Sequence, residues 1–284
     1  MRVDAIVLHY DTPQETAACV VSLTESMRQP AKVWLLDNGS PTVPARELGL
    51  SGVELVELPR NLGFAGGCNE GLRRAFADGA DAVLLLNSDA RLMPDALGWL
   101  EAALLDPGVA AVAPVVRRPD GMVESAGIDF SRRTARMRLR DAGRPEPRSF
   151  DKVAAVAGTA VLLRRAALVE VGLFDAAYFY AFEDLDLGLR LGAAGWRSVV
   201  ERRATCVHLG SRSIGAESPE RLYFALRNHL RLVDKLFPSL WRPPLVVSYY
   251  LMQVLLRPPA PRLPSLSALG RGLFHHLRRR YGPP

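Results

Sequence analysis

Val3-Asp4-Ala5-Ile6-Val7-Leu8-His9, followed at once by Tyr10-Asp11-Thr12-Pro13-Gln14-Glu15, is the stretch that decides the fold. The aliphatic run alternates little, as in a strand buried on both faces of a sheet. A helix should follow directly: Thr12 offers a hydroxyl at the N-cap, Pro13 suits the first helical position, and Glu15 completes a capping box. The apolar stripe Ala17, Val20, Val21 and Met27 then gives the helix one buried face. Strand, turn and helix in this order open a βαβ unit.

The same reading extends along the chain. Strands are predicted at Lys32–Leu36, Val53–Leu58, Ala82–Leu86, Val109–Ala113, Val153–Leu163 and Ser198–His208. Helices are predicted at Asn69–Asp78 and Glu183–Ala194, the second ended by Gly195. The stretch Ser131–Arg148 holds seven arginines broken by Gly and Pro, and reads as a mobile loop. A mostly parallel sheet flanked by helices is expected, an α/β fold that binds ligands beyond the carboxyl ends of its strands. Asp37 and Asn87-Ser88-Asp89 stand at two of those ends. Turn-forming residues also belong there, so the position alone leaves both roles open.

Composition bounds the function. With 284 residues, 49% hydrophobic and 23% charged, the chain can bury a substantial core and is not a disordered binder. Cys19, Cys68 and Cys206 are too scattered for a disulfide framework or a zinc pair, which points to a reducing, cytoplasmic compartment. The first residues lack a secretory pattern, and the most apolar run, Leu245–Leu256, is too short and interrupted to span a bilayer.

The net charge of +6 conceals an asymmetry: residues 221–284 carry +10 and residues 1–220 carry −4. Residues 221–284 are expected to form a basic helical extension, and residues 1–220 an α/β domain with two halves, 1–106 and 107–220. Leu266, Leu269, Leu273, Phe274 and Leu277 recur at three- and four-residue spacing beside Arg271 and Arg278 to Arg280, the pattern of an interfacial helix on an anionic leaflet. The alternative is a helix that packs its leucines on the preceding domain. Basic residues interleaved with Leu, Phe and Pro, without a recognised module, argue against nucleic acid.

Asn87 and Asp89 fall on one side of an extended chain and offer oxygen ligands of the kind that suit Mg2+ or Mn2+ beside a diphosphate. Gly63, Gly66, Gly67 and Gly71 lack the dinucleotide fingerprint spacing, which disfavours a dehydrogenase. They allow either close backbone approach to a ligand or simply a tight connection. Asp186, four residues before Arg190, reads as half of a helical ion pair. Glu183 and Asp184 open a helix, where acidic residues also serve the macrodipole.

Taken together, Asp37-Asn38-Gly39-Ser40, Asn61 to Leu72, Leu86 to Asp89, Gly172 to Asp175, Tyr178 to Tyr180, Glu183 to Leu187, Arg190, Gly195-Trp196, and His208 with Ser211 and Ser213 closely resemble glycosyltransferase family 2, in particular its rhamnosyltransferase-like members. The match runs in order over roughly residues 3–230. The resemblance implies a GT-A fold and a metal-assisted, inverting transfer from a nucleotide-diphospho-sugar, dTDP-rhamnose or a UDP-sugar. The acceptor would be a glycan or lipid-linked hydroxyl in cell-envelope polysaccharide assembly, at the cytoplasmic face of the membrane.

By the same resemblance Asp184 would be the base, with Glu183 beside it, and Asp89 and His208 the metal ligands. Donor contacts would come from His9, Tyr10, Asp37, Gly63, Phe64, Asn69, Asn87 and Ser88. Asn87 stands where a strict D-x-D has its first Asp, so the site has one anion fewer and a weaker hold on metal is expected. A non-catalytic nucleotide-sugar binder of the same fold and an anionic-surface binder acting through the basic tail are the rival readings. The presence of both Asp89 and Asp184 disfavours the first.

Overall fold

The computed structural model describes residues 1–147, 152–210, 218–256 and 262–283. Ser211, Ser213 and Arg148 therefore lie outside the described residues. The strands are β1 (Val3–His9), β2 (Val33–Asp37), β3 (Glu54–Glu57), β4 (Ala82–Asn87), β5 (Ala90–Leu92), β6 (Val109–Arg117), β7 (Val123–Ser125), β8 (Ile128–Phe130), β9 (Met137–Leu139), β10 (Ala160–Arg164) and β11 (Arg197–His208). The helices are α1 (Pro13–Thr24), α2 (Gly63–Ala77), α3 (Ala96–Leu104), α4 (Arg165–Val171), α5 (Glu183–Ala193), α6 (Pro219–Leu236), α7 (Arg242–Leu256) and α8 (Arg262–Leu277).

One mixed sheet runs β3-β2-β1-β4-β10-β6-β11-β5, with β7 added on β6. Its first four strands are parallel, and the register sets His9 beside Asp37 and Leu8 beside Asn87, so the carboxyl ends form one rim. Alternation splits the strand side chains between two cores. Ile6, Leu36, Leu85 and Leu163 face α2, α4 and α5, whereas Val7, Leu35, Leu84 and Leu162 face α1 and α3. This is the GT-A arrangement, a curled sheet covered by helices on both sides, followed by the C-terminal helices.

Four local expectations are corrected. The helix predicted from Asn69 starts at Gly63, whose φ of +73° suits glycine. It is anchored where Asn61 Oδ1 accepts the Gly63 N–H at 2.8 Å and the Phe179 carbonyl accepts the Phe64 N–H at 2.8 Å. Gly67 and Gly71 lie inside that helix, where a Cβ would press on Leu8 and Ile6, so they serve helix-to-sheet packing. Thr12 makes no side-chain cap, because its hydroxyl sits 3.0 Å from that of Ser88 and 3.3 Å from that of Thr16. Part of the arginine-rich stretch forms the β8–β9 hairpin, held by Arg140 on Asp129 at 2.6 Å. The strand predicted from Val153 pairs continuously only from Ala160, its earlier residues making isolated bridges at Val153 and Ala155.

The C-terminal helices bury Tyr223, Leu226, Leu230, Tyr250, Ala268 and Leu269 among themselves. Gly272 lets α8 approach closely, since a Cβ there would stand 2.8 Å from the Tyr223 carbonyl of α6. The leucine stripe is thus divided: Leu269 packs inward, whereas Leu266, Phe274 and Leu277 stay exposed. Among the described residues, no helix is long and apolar enough to cross a membrane.

Candidate active site

A cavity of about 380 Å³ opens at the carboxyl rim, within the range of small-ligand sites. Tyr10, Gly63, Phe64, Asn87, Ser88, Asp89, Glu183, Asp184 and His208 all line it. His9, Asp37 and Asn69 stand behind its wall. His9 is fully buried, with Nδ1 2.8 Å from the Thr16 hydroxyl and Nε2 2.7 Å from the Val43 carbonyl. Asp37 spends both oxygens on the backbone N–H groups of Ser40 (2.8 Å) and Ala45 (2.7 Å), folding the loop after β2. Asn69 clamps Phe174, donating to its carbonyl at 2.8 Å and accepting its N–H at 3.0 Å. The strand-end position thus brought Asn87 to the cavity but turned Asp37 away from it.

The pairing of β5 with β11 explains how Asp89 meets His208. His208 lies opposite Ala90, and the Leu209 N–H donates to the Asp89 carbonyl at 2.9 Å. His208 Nε2 comes within 3.2 Å of Asp89 Oδ1, yet it is buried without a hydrogen-bond partner. Two ligands of one octahedral ion, each about 2.1 Å from it, are about 3 Å apart. The spacing and the orphaned nitrogen therefore fit a shared divalent cation. Among the described residues no group of three His, Cys, Asp or Glu converges to hold a metal. Such an ion would take its further ligands from water or a diphosphate, as Mg2+ commonly does.

Glu124 on β7 completes this corner and escaped the sequence reading. Both its oxygens lie 2.9 Å from His208 Nδ1. A carboxylate there fixes the tautomer that leaves Nε2 free as a ligand. Burial alone would lower the His208 pKa, but Asp89 and Glu124 outweigh it and raise it to about 9.

Asp184 and Glu183 open α5 after a constrained turn: Phe179, Ala181 and Phe182 all have positive φ, at 60°, 64° and 74°. Such conformations in non-glycine residues cost of order 1–3 kcal/mol each and gather at functional sites. Asp184 accepts N–H groups from Gly158 (3.2 Å) and Leu185 (2.7 Å). Burial raises its pKa, and those two hydrogen bonds oppose the shift. Burial also pushes Glu183 up to about 8, with the Asp184 charge adding to the rise, and Glu183 Oε2 has no hydrogen-bond partner. The two carboxyls thus sit side by side at the cavity with burial raising both, and the pair together is able to accept one proton.

Asp186 has the structural role its spacing indicated: it pairs with Arg190 at 2.7 Å and Lys235 at 2.7 Å and is fully buried. Thr159 and Arg221 also line the cavity and carried no motif in the sequence, and so does Asn38, quoted there within Asp37-Asn38-Gly39-Ser40 without a role of its own. Ile128, Met137 and Leu139 of the hairpin add an apolar wall.

A model of the family described as "Glycosyltransferase like family 2" matches residues 43–234. An N-acetylglucosaminyl-diphospho-decaprenol L-rhamnosyltransferase of Mycobacterium tuberculosis is 30% identical over 253 residues, covering 80% of this chain and 82% of that protein. A galactofuranosyltransferase, GlfT1, of the same species is 30% identical over 206 residues, covering 67% of this chain and 64% of its own. Among solved structures, the mannosyltransferase PcManGT of Pyrobaculum calidifontis with GDP-Man and Mn2+ superposes with a TM-score of 0.62 at 18% identity, covering 98% of this chain and 88% of its own. GalNAc-T7 with UDP, GalNAc and Mn2+ gives 0.65 at 13% identity, covering 82% of this chain and 48% of its own.

Proposed function

The chain belongs to glycosyltransferase family 2 and is a glycosyltransferase, and we propose that it transfers a sugar with inversion from a nucleotide-diphospho-sugar to a hydroxyl of a lipid-linked glycan. The observation that carries this reading is one cavity holding Asp184, poised to take a proton, together with the Asp89–His208 pair and its orphaned nitrogen. Asp89 and His208 would hold Mg2+ or Mn2+, which when bound offsets the charge developing on the leaving diphosphate. Asp184 takes the proton of the acceptor hydroxyl as its oxygen bonds to the anomeric carbon. The bond from that carbon to the diphosphate breaks on the opposite side, which inverts the centre and releases the nucleoside diphosphate. Tyr10, Gly63, Phe64, Asn87 and Ser88 line the donor side, with His9, Asp37 and Asn69 supporting the wall behind them.

For the donor, we favour dTDP-rhamnose or a UDP-sugar, and for the setting, cell-envelope polysaccharide assembly. The rhamnosyltransferase relative, named for a diphospho-decaprenol acceptor, supports both. A panel of dTDP-, UDP- and GDP-sugars, with and without Mn2+, read by thermal shift and then by product formation on a lipid-diphosphate sugar, tests it. No response to any donor would overturn the reading.

Residues 221–284 would dock the enzyme, as a cytoplasmic peripheral protein, on an anionic leaflet. Leu240, Leu256, Leu263, Phe274 and Leu277 are exposed, and no acidic residue follows Asp234. Each basic residue near such a surface contributes about 1 kcal/mol. Wild type should co-sediment with anionic vesicles at low salt and release at high salt, and the triple change Leu263→Ser, Phe274→Ser, Leu277→Ser should weaken binding. Equal binding by both proteins would exclude this surface.

A further inference from the structure

The turn that delivers Asp184 is held by α6. Three of its residues, Phe179, Ala181 and Phe182, have positive φ, and buried backbone carbonyls in such a turn need donors from elsewhere in the fold. Three carbonyls of the turn surround one side chain of α6 and share its two amide hydrogens: Asn228 Nδ2 lies 2.8 Å from the Tyr178 oxygen, 2.6 Å from that of Tyr180 and 3.0 Å from that of Ala181. Asn228 is fully buried, and so is Arg227 beside it.

Arg227 sets the direction of that amide. Its Nε donates to Asn228 Oδ1 at 3.1 Å, which leaves only the amide NH2 to face the turn. The Arg227 guanidinium also donates to the carbonyls of Gly282 at 2.9 Å and Tyr178 at 3.3 Å. The Gly282 N–H in turn donates to the Ala177 carbonyl at 2.9 Å, so the C-terminal segment closes on the start of the same turn. On its other side the turn meets the first residues of α2, where the Phe179 carbonyl accepts from Phe64 and a Cβ on Gly63 would overlap that carbonyl. Phe179 and Phe182 stack on Phe224 and His229 of α6, with ring centres 5.7 Å and 4.9 Å apart.

We propose that Asn228, oriented by Arg227, is a positioning residue for the transfer: it holds residues 178–182 in their left-handed turn and so places the Asp184 carboxylate at the cavity. The inference rests on the reading of Asp184 as the base. Without Asn228 the carbonyls of Tyr180 and Ala181 lose this donor while Tyr178 keeps Arg227, so the strained turn relaxes and the carboxylate leaves its reacting geometry. A displacement near 1 Å can cost about 100-fold in rate.

The test compares Asn228→Ala, and Asn228→Ser with its single remaining donor, against wild type in the full-length protein. The expected result is a fall in kcat of about 10- to 100-fold for Ala and less for Ser. Donor KM and Mn2+ affinity should stay within about threefold, because the Asp89–His208 corner is built on other strands. Hydrogen exchange should quicken in peptides spanning 177–186 and remain unchanged in β1, β4 and β6. Unchanged kcat and exchange, or faster exchange spread over the sheet in both variants, would overturn the proposal. Turnover retained by Asp184→Asn would remove the base reading, whereas the exchange result would still decide whether Asn228 holds the turn.

Discussion

Replacing Asp184 by Asn tests the base with little structural disturbance, and its magnitude follows from the contacts. The amide has the size of the carboxylate and its oxygen still accepts the Leu185 N–H, now at 2.7 Å. The other amide position becomes NH2 and opposes the Gly158 N–H, so the 3.2 Å hydrogen bond is lost. That loss costs about 0.5–1.5 kcal/mol. It is offset in part because a negative charge no longer lies buried beside Glu183. Stability should therefore change by about 1 kcal/mol or less.

Turnover should fall by about two to four orders of magnitude, or roughly 3–5.5 kcal/mol in the barrier. Donor affinity should remain near that of wild type, since Asp184 makes its hydrogen bonds within the protein and lies on a different element from Asp89. The assay is nucleoside diphosphate release under saturating donor and acceptor, with calorimetry for donor binding and a melting curve for the fold. A variant that keeps half of its turnover would refute the argument and shift the proton acceptor to another group, with Glu183 the first candidate.

Three further outcomes follow from other contacts. Glu124→Ala should weaken Mn2+ binding by about 10- to 100-fold while leaving the melting temperature within a few degrees, and titration calorimetry would expose an unaffected site. The Asp175 carboxyl, which burial alone would raise, is held down to about 2 by Lys235 and Arg231 at 2.9 and 2.8 Å. Its folded value lies below the ordinary 3.8, so its stabilisation is present above about pH 4 and is lost as the pH falls toward 2. After solvent screening it amounts to about 1–2 kcal/mol. Urea midpoints of wild type and Asp175→Asn should differ at pH 6, draw together as the pH falls and converge only below about pH 2, and a constant gap would refute this. Turnover should rise with pH through an acid limb above the usual aspartate range, because burial raises Asp184, and a limb at or below pH 4 would contradict that environment.

How much of this was legible in the sequence depended on how local the determinants were. The parallel half of the sheet followed from aliphatic runs and their spacing, and the Asp186–Arg190 pair from a four-residue interval within one helix. Asp89 and His208 were named separately through the family pattern, but their meeting needs the antiparallel register of β5 on β11. Glu124 required the position of β7 on β6 as well, and nothing in Val123-Glu124-Ser125 marks it. Asn228 lies 44 residues beyond Asp184 in sequence, and its partners are carbonyls exposed by a turn that no residue type there announces. The start of α2 was missed because a tertiary contact, Phe64 to the Phe179 carbonyl, extends the helix past its own propensity. Asp37 shows the limit of strand-end reasoning, which locates a rim but not which way each side chain turns.

The most direct test of the central claim, that Asp89 and His208 hold a divalent cation for a nucleotide diphosphate, is calorimetric titration of the matching nucleoside diphosphate into wild type and Asp89→Ala, with and without Mn2+. The backbone carbonyl of Asp89, which accepts from Leu209 at 2.9 Å, is unaffected by the change, so the fold should persist. The account predicts strong binding by wild type only when Mn2+ is present, and no Mn2+-dependent gain in Asp89→Ala. The same Mn2+-dependent affinity in both proteins would contradict it.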